Sequence, residues 1–111
     1  MRDGYTLWPR ARATASLMPL PLLGPKAYML TGIEVGRESR GEGFARELLQ
    51  QVLDDADREG VTLYLSIEPD GSPRGLSFAA LAVWYQRHGF TWYPDDEEWS
   101  TGMVRQPQPI L

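Results

Sequence analysis

Between Ala27 and Ile67 the chain switches between two kinds of periodicity in an order that leaves few folds open. The run AYMLTGIEV over Ala27–Val35 is apolar and rich in strand formers, and VTLYLSI over Val61–Ile67 is a second run of the same kind. Between them, residues 36–43 (GRESRGEG) form a polar turn with three glycines, and a helical stripe follows over residues 42–58. In it Phe44, Ala45, Leu48, Leu49, Val52, Leu53 and Ala56 recur at steps of one, three and four. Glu47, Gln50, Asp54, Asp55 and Asp57 are expected to face away from that stripe, and Gly60 fits the left-handed residue that ends such a helix. Two strands joined by one helix imply a right-handed crossover, with the strands parallel or nearly so and the helix against one face of the sheet.

The flanks add shorter elements. Residues 1–26 mix apolar pieces with four prolines and no clean period, which predicts short strands and turns. A second helix starts near Ser77, a good N-cap, and runs through FAALAVWYQRH to Gly89; it is apolar nearly all round up to Gln86, so it is expected to be largely buried. Phe90–Tyr93 and Ser100–Arg105 read as closing strands around an acidic turn at 95–98, before Pro107 and Pro109. With 111 residues there is room for one α/β domain over 1–111, with a reduced N-terminal part at 1–26, a core at 27–106 and a tail at 107–111.

Several function classes fall away at once. The chain has no cysteine and one histidine, His88, which excludes thiolate chemistry and a multi-histidine metal site; no metal is expected. A net charge of -4 argues against nucleic acid as a partner. No apolar run reaches membrane-spanning length, so a soluble, cytoplasmic protein is the expectation.

The glycine-rich turn carries the most chemistry. Where a turn leaves a strand and opens a helix, unpaired backbone N–H groups and the positive end of the helix dipole converge and attract an anion. Gly41 and Gly43 keep side chains out of the way, Ala45 permits close approach on the first helical turn, and Arg40 and Arg37 offer charge. A capped turn with no ligand has the same local sequence. The segment is neither a P-loop nor a dinucleotide fingerprint, since no GK[ST] and no GxGxxG is present.

Arg40, Gly43 and Ala45 fill the pattern Q/R-x-x-G-x-G/A, and Tyr85-Gln86-Arg87-His88-Gly89-Phe90 fills a Y-x-x-x-G-F ending about one helix later. Together these resemble the GCN5-related N-acetyltransferase family over roughly Ala27 to Met103. The resemblance implies a mixed, mostly antiparallel sheet with a splayed parallel strand pair and two core helices, the family's N-terminal helices being missing. It implies acetyl-coenzyme A as cofactor, with the pyrophosphate held by Arg40, Gly41, Glu42, Gly43, Phe44 and Ala45, and the pantetheine arm along the strand at Ile33 and Val35. The implied reaction is direct acyl transfer to an amine. In that reaction a carboxylate takes a proton from the acceptor, for which Glu34 and Glu68 are candidates that the motif itself does not fix, and Tyr85 occupies the position of the donor to the departing thiolate.

Two departures stand out. Members often carry an asparagine six residues before the tyrosine, where this chain has Ala79, with Ser77 nearby as a substitute. Only 26 residues precede the strand at Ala27, so the wall of the acceptor site that the family builds there is reduced. Such a chain completes its site as a homodimer, admits a large acceptor such as a protein lysine or N-terminus, or serves as a catalytically silent module that binds a partner protein. Trp84, Phe78 and Leu81 read as core packing, His88 as a surface residue complementing the helix C-terminus, and Trp92, Tyr93 and Trp99 as aromatics flanking a solvated acidic loop.

Overall fold

Alternation sets the two faces of the sheet. In β2 (Ala13–Pro19) the side chains of Ala13, Ala15 and Leu17 are buried while Thr14, Ser16 and Met18 are exposed, the period-two signature of a strand with one covered face. β1 (Gly4–Thr6) buries Tyr5 on that face, and β4 (Thr62–Ser66) buries Leu63 and Leu65. With β3 (Ala27–Val35), β5 (Thr91–Trp92) and β6 (Gly102–Arg105) they form a six-stranded sheet in the order β1-β2-β3-β4-β6-β5. These elements belong to a computed structural model that describes residues 1–39, 42–67, 77–93 and 101–109. β3 and β4 run parallel, and every other neighbouring pair is antiparallel. The mixed, mostly antiparallel α/β architecture expected from the sequence is the one observed.

The crossover between β3 and β4 is α1 (Phe44–Glu59). Its stripe of Leu48, Leu49, Val52, Leu53 and Ala56 is fully buried, and each leucine or valine side chain contributes about 1.5–3 kcal/mol by leaving water. Gly60 ends the helix with its N–H on the carbonyls of Ala56 and Asp57. α2 (Phe78–Arg87) starts at Ser77, whose hydroxyl accepts the Ala80 N–H at 3.1 Å.

Both helices lie on the same face. Arg105, opposite Leu63 in the β4–β6 ladder, sends its two terminal guanidinium nitrogens to Asp57 of α1 at 2.7 and 3.0 Å. Its Nε–H reaches the His88 carbonyl, just past α2, at 2.8 Å. Phe78 of α2 stacks at 5.6 Å on Trp92, which pairs in register with buried Met103. Among the described residues, the opposite face of the sheet carries no helix.

Three sequence expectations change. Asp55 and Asp57 do not simply face away: Asp55 accepts the Tyr5 hydroxyl at 2.6 Å and pairs with Arg58, while Asp57 holds Arg105, which is only 5% exposed, and accepts the Gln108 N–H at 2.8 Å. Burial is the largest influence on each carboxyl and raises its pKa. The Tyr5 bond with the Arg58 and Arg2 charges, and the Arg105 contacts with the Gln108 N–H, outweigh it, and both end below the usual carboxylate range. Tyr5 itself is pushed up to about 12, first by burial and then by Asp55. α2 is covered on one side only, with Ala82 buried but Ala79, Ala80 and Val83 exposed, and among the described residues no second layer lies over its outer side. His88 is half-buried: its ring meets Trp84 edge-on at 5.2 Å and its Nε2 is buried with no hydrogen-bond partner among the described residues. Burial, then the charges of Arg105 and Arg46, push its pKa down, so it is neutral and not a cation complementing the helix end.

Candidate active site

The parallel ladder between β3 and β4 is short. Ala27, Tyr28 and Met29 pair with Thr62, Leu63 and Tyr64, and beyond Met29 no ladder joins the two strands among the described residues. A bulge in β3 explains the divergence. On β2, Ser16 pairs with Gly32 and Leu17 with Leu30, so Thr31 is an extra residue on β3, pinned by its hydroxyl to the Ser16 carbonyl at 3.0 Å. A bulge bends its strand and sharpens the local twist, here two residues past the last β3–β4 pair. β4 turns instead to β6, with Leu65 opposite Met103 and Ser66 opposite Gly102. The result is a V-shaped gap in the middle of the sheet.

The chain leaves β3 at the open end of that gap, and α1 begins at Phe44. Gly36 lies where a Cβ would stand 2.8 Å from the Arg12 Cβ, so the strand can end against the β1–β2 turn only because this residue has no side chain. A short 3-10 turn, Arg37–Ser39, follows. Gly43 is the N-cap of α1, with φ of 79°, a conformation that favours glycine, and no side chain caps the helix. The space a Cβ of Gly43 would enter holds no atom within 4 Å. An uncapped helix N-terminus under a bare glycine presents amide N–H groups and the positive dipole end to whatever approaches, which suits a phosphate group. Phe44 and Ala45 of the first turn are half-buried, Glu42 is exposed, and Arg40 and Gly41 lie outside the described residues.

Ile33 and Val35 sit on the stretch of β3 beyond the ladder with their side chains toward the helices, as their in-register partners Ala15 and Ala13 show. Glu34 pairs with Thr14 on the uncovered face and is exposed. Tyr85 belongs to the other side of the sheet: its ring packs at 5.0 Å against Trp84 and at 5.5 Å against buried Phe90. Burial pushes the Tyr85 hydroxyl pKa up. Tyr85 and Glu34 are thus on opposite sides of the sheet, and the gap between β3 and β4 is where the two sides communicate. Glu68 lies outside the described residues, Ala79 is exposed, and the Ser77 hydroxyl is engaged as a helix cap.

Two features were not read from the sequence. Ser66, on the uncovered face at the end of β4, meets the Thr101 hydroxyl at 2.7 Å. The alternation of VTLYLSI places Ser66 away from the core, but nothing in the spacing ties it to Thr101. The β1–β2 turn also reaches the mouth of the helix: Arg10 pairs with Glu47 in the first turn of α1, and Arg12 pairs with Glu38 at 3.2 Å.

Residues 9–90 match the acetyltransferase (GNAT) family, a span that holds β2, β3, the glycine turn, α1, β4 and α2. The chain belongs to the GNAT family. That family uses acetyl-coenzyme A. No curated protein matches the chain at the level of sequence. Solved structures do match in fold. The ribosomal-protein-S18-alanine N-acetyltransferase of Escherichia coli is 21% identical with a TM-score of 0.61, over 88% of this chain and 63% of that one. Anti-CRISPR protein AcrVA5 is 15% identical with a TM-score of 0.64, over 93% and 98%. The PaiA N-acetyltransferase of Thermoplasma acidophilum, in complex with coenzyme A, is 14% identical with a TM-score of 0.59, over 85% and 52%. This GNAT chain therefore spans less than two thirds of the length of the two N-acetyltransferases and nearly the whole of AcrVA5.

Proposed function

We propose that this chain is an acetyl-coenzyme A-dependent N-acetyltransferase that passes an acyl group directly to an amine, whether a protein lysine or N-terminus or a small molecule. The observation that carries the reading is the gap between β3 and β4 opening beside an uncapped helix N-terminus with a bare Gly43. In this reading the turn from Arg40 and Gly41 through Glu42, Gly43, Phe44 and Ala45 holds the pyrophosphate, and the main chain of β3 beside Ile33 and Val35 takes the pantetheine arm. The bound coenzyme supplies an activated acyl thioester. An ammonium cannot attack it, so Glu34 or Glu68 takes a proton from the acceptor on the uncovered side. Tyr85, whose raised pKa keeps its hydroxyl protonated at neutral pH, provides a proton to the sulfur from the covered side. The bare face beside Glu34 suits a bulky acceptor such as a protein amine.

A titration with acetyl-coenzyme A, followed by calorimetry, tests the cofactor half. Saturable binding to the wild type, lost in Gly43→Glu, is the expected result; no binding at millimolar coenzyme overturns it. For the chemistry, Tyr85→Phe is expected to lower kcat by about 100-fold while leaving coenzyme affinity unchanged. The single layer of helices also favours a second reading, a catalytically silent module that binds a partner protein, because among the described residues no helix walls the acceptor side. Coenzyme binding without acetylation of any amine would decide for that second reading.

A further inference from the structure

We infer that His88 is a positioning residue for Tyr85: its neutral ring, seated against Trp84, holds the indole that in turn holds the Tyr85 ring, and protonation of His88 releases both. This rests on the reading of Tyr85 as the proton donor to the coenzyme sulfur, and adds to it a supporting residue and a pH gate.

The rings form one chain of contacts at the end of α2. His88 and Trp84 are four residues apart, hence on one side of the helix, and their rings meet edge-on at 5.2 Å and 78°. Trp84 meets Tyr85 at 5.0 Å and 65°, and Tyr85 meets Phe90 at 5.5 Å and 69°, edge-to-face arrangements of the kind aromatic pairs prefer. Phe90 is buried in the core and anchors one end. Trp84 and Tyr85 are half-buried, so the core alone does not fix them. Among the described residues the ring partners of Trp84 are Tyr85 and His88.

The main chain under His88 is firmly held. Its N–H donates to the Tyr85 carbonyl at 2.9 Å, and the same carbonyl takes the Phe90 N–H at 3.2 Å. The His88 carbonyl accepts the Nε–H of Arg105, which is itself locked on Asp57 by both terminal nitrogens. What is left to move is the imidazole.

The surroundings of that imidazole make it a gate. Its Nε2 is buried without a hydrogen-bond partner among the described residues. A neutral ring tolerates this, since one of its nitrogens is only an acceptor; an imidazolium donates from both, and a buried cationic N–H facing no acceptor is strongly disfavoured. The charges that face the ring work the same way: Arg46 of α1 and Arg105 of β6 repel a second cation, and the Asp57 carboxylate is taken up by Arg105 and the Gln108 N–H. A proton is therefore accepted when the ring turns out to water, away from Trp84. Trp84 then keeps the Tyr85 contact alone. A donor that must stand within hydrogen-bond reach of the sulfur is sensitive to a shift of about 1 Å.

Nuclear magnetic resonance of the full chain tests the coupling without any turnover. His88 is the single histidine, so its Cε1–H gives one signal that needs no assignment, and the Tyr85 ring signals are those missing from Tyr85→Phe. The Tyr85 signals are expected to shift with the same midpoint as His88, below 6.5, with circular dichroism unchanged. His88→Phe, which keeps a ring against Trp84 but takes up no proton, is expected to leave Tyr85 flat. Trp84→Leu is expected to leave His88 titrating and Tyr85 flat; if that variant does not fold, His88→Phe decides. In turnover, the kcat of wild type divided by that of His88→Phe is expected to fall about tenfold between about pH 7.5 and about pH 5, with KM for acetyl-coenzyme A unmoved. The ratio cancels the loss both proteins share as the acceptor and its base take up protons. The proposal is overturned by Tyr85 signals that stay flat through the His88 midpoint, by a Tyr85 shift that survives either substitution, or by a kcat ratio that does not change with pH. Coupled rings in a chain that acetylates no amine overturn instead the reading of Tyr85 as the donor, and with it the part of His88 in catalysis.

Discussion

The two faces of one sheet obey different rules. On the covered face, successive strands contribute Tyr5, Ala15, Leu30, Leu65 and Met103, all buried under α1 and α2, and even the one guanidinium there, on Arg105, has its Nε and both terminal nitrogens bonded. On the other face the same strands offer Thr14, Ser16, Glu34 and Ser66 to solvent around a narrow apolar row. Stability is therefore concentrated on one side, while the other is free to be chosen by what it must touch. The chemistry falls where the sides meet, at the gap opened by the Thr31 bulge.

The strongest way to break this comparison is to strike the polar knot on the covered side. Asp57→Ala leaves the Arg105 guanidinium buried and without its carboxylate, and is expected to cost about 3–5 kcal/mol in urea unfolding. A loss below 1 kcal/mol would mean that the pair behaves as an exposed one and that the covered face is less dry than its burial indicates. Neighbouring residues of β4 give a sharper contrast. Leu65→Ala is expected to cost about 2–5 kcal/mol, and Ser66→Ala, one residue on but on the opposite face, about 1 kcal/mol at most, the worth of its exposed hydrogen bond to Thr101. Equal losses at the two positions would erase the distinction between the faces. A smaller effect, about 1 kcal/mol, is expected from Ser77→Ala, which removes the α2 cap and leaves the sheet untouched.

Most of the covered side was legible in the sequence, and the reason is periodicity. The stripe from Phe44 to Ala56 and the run AYMLTGIEV each have one period, and a helix and strand follow within two residues of the expected ends. The same signal cannot encode pairing at a distance. Asp55 and Asp57 are polar positions on an amphipathic helix, so the pattern sends them to solvent; their partners Tyr5 and Arg105 lie 50 and 48 residues away and are found only when the sheet is assembled. α2 misleads for the opposite reason. Its composition is apolar on all sides, but composition does not state how many layers will cover it, and Val83 remains 45% exposed. In the candidate site, Gly43 stood out as a residue with no side chain in the turn that opens the helix, and Tyr85 by its place before Gly89 and Phe90, whereas the left-handed φ of Gly43 is seen only in the structure. The splay was expected only by family resemblance, since a one-residue bulge at Thr31 leaves no mark in the sequence, and the Ser66–Thr101 contact has no local signal at all.

The smallest expected effect concerns pH, and its sign follows from the groups on the covered side. His88 is held below its ordinary pKa of 6.5 by burial and by the charges of Arg105 and Arg46, with Trp84 against its ring. As pH falls through 6.5 the unfolded chain takes up a proton there before the folded one does, so folding loses stability from that point down to the folded-state pKa. Asp57, held below 3.8 chiefly by Arg105 acting against burial, contributes stability that is complete above 3.8 and is lost as pH falls through its lower folded value. Acid unfolding is therefore expected to begin with a shallow slope just below pH 6.5 and to steepen below 3.8, where the other carboxylates join it. In His88→Gln the shallow slope disappears and the steep one is kept; in Asp57→Asn the shallow slope is kept and the steep one is reduced. A wild-type stability that does not change between pH 7 and pH 5 would mean that His88 is as well solvated when folded as when unfolded. The unpaired Nε2 under Trp84 would then be open to water, and the covered face would be loose at the end of α2.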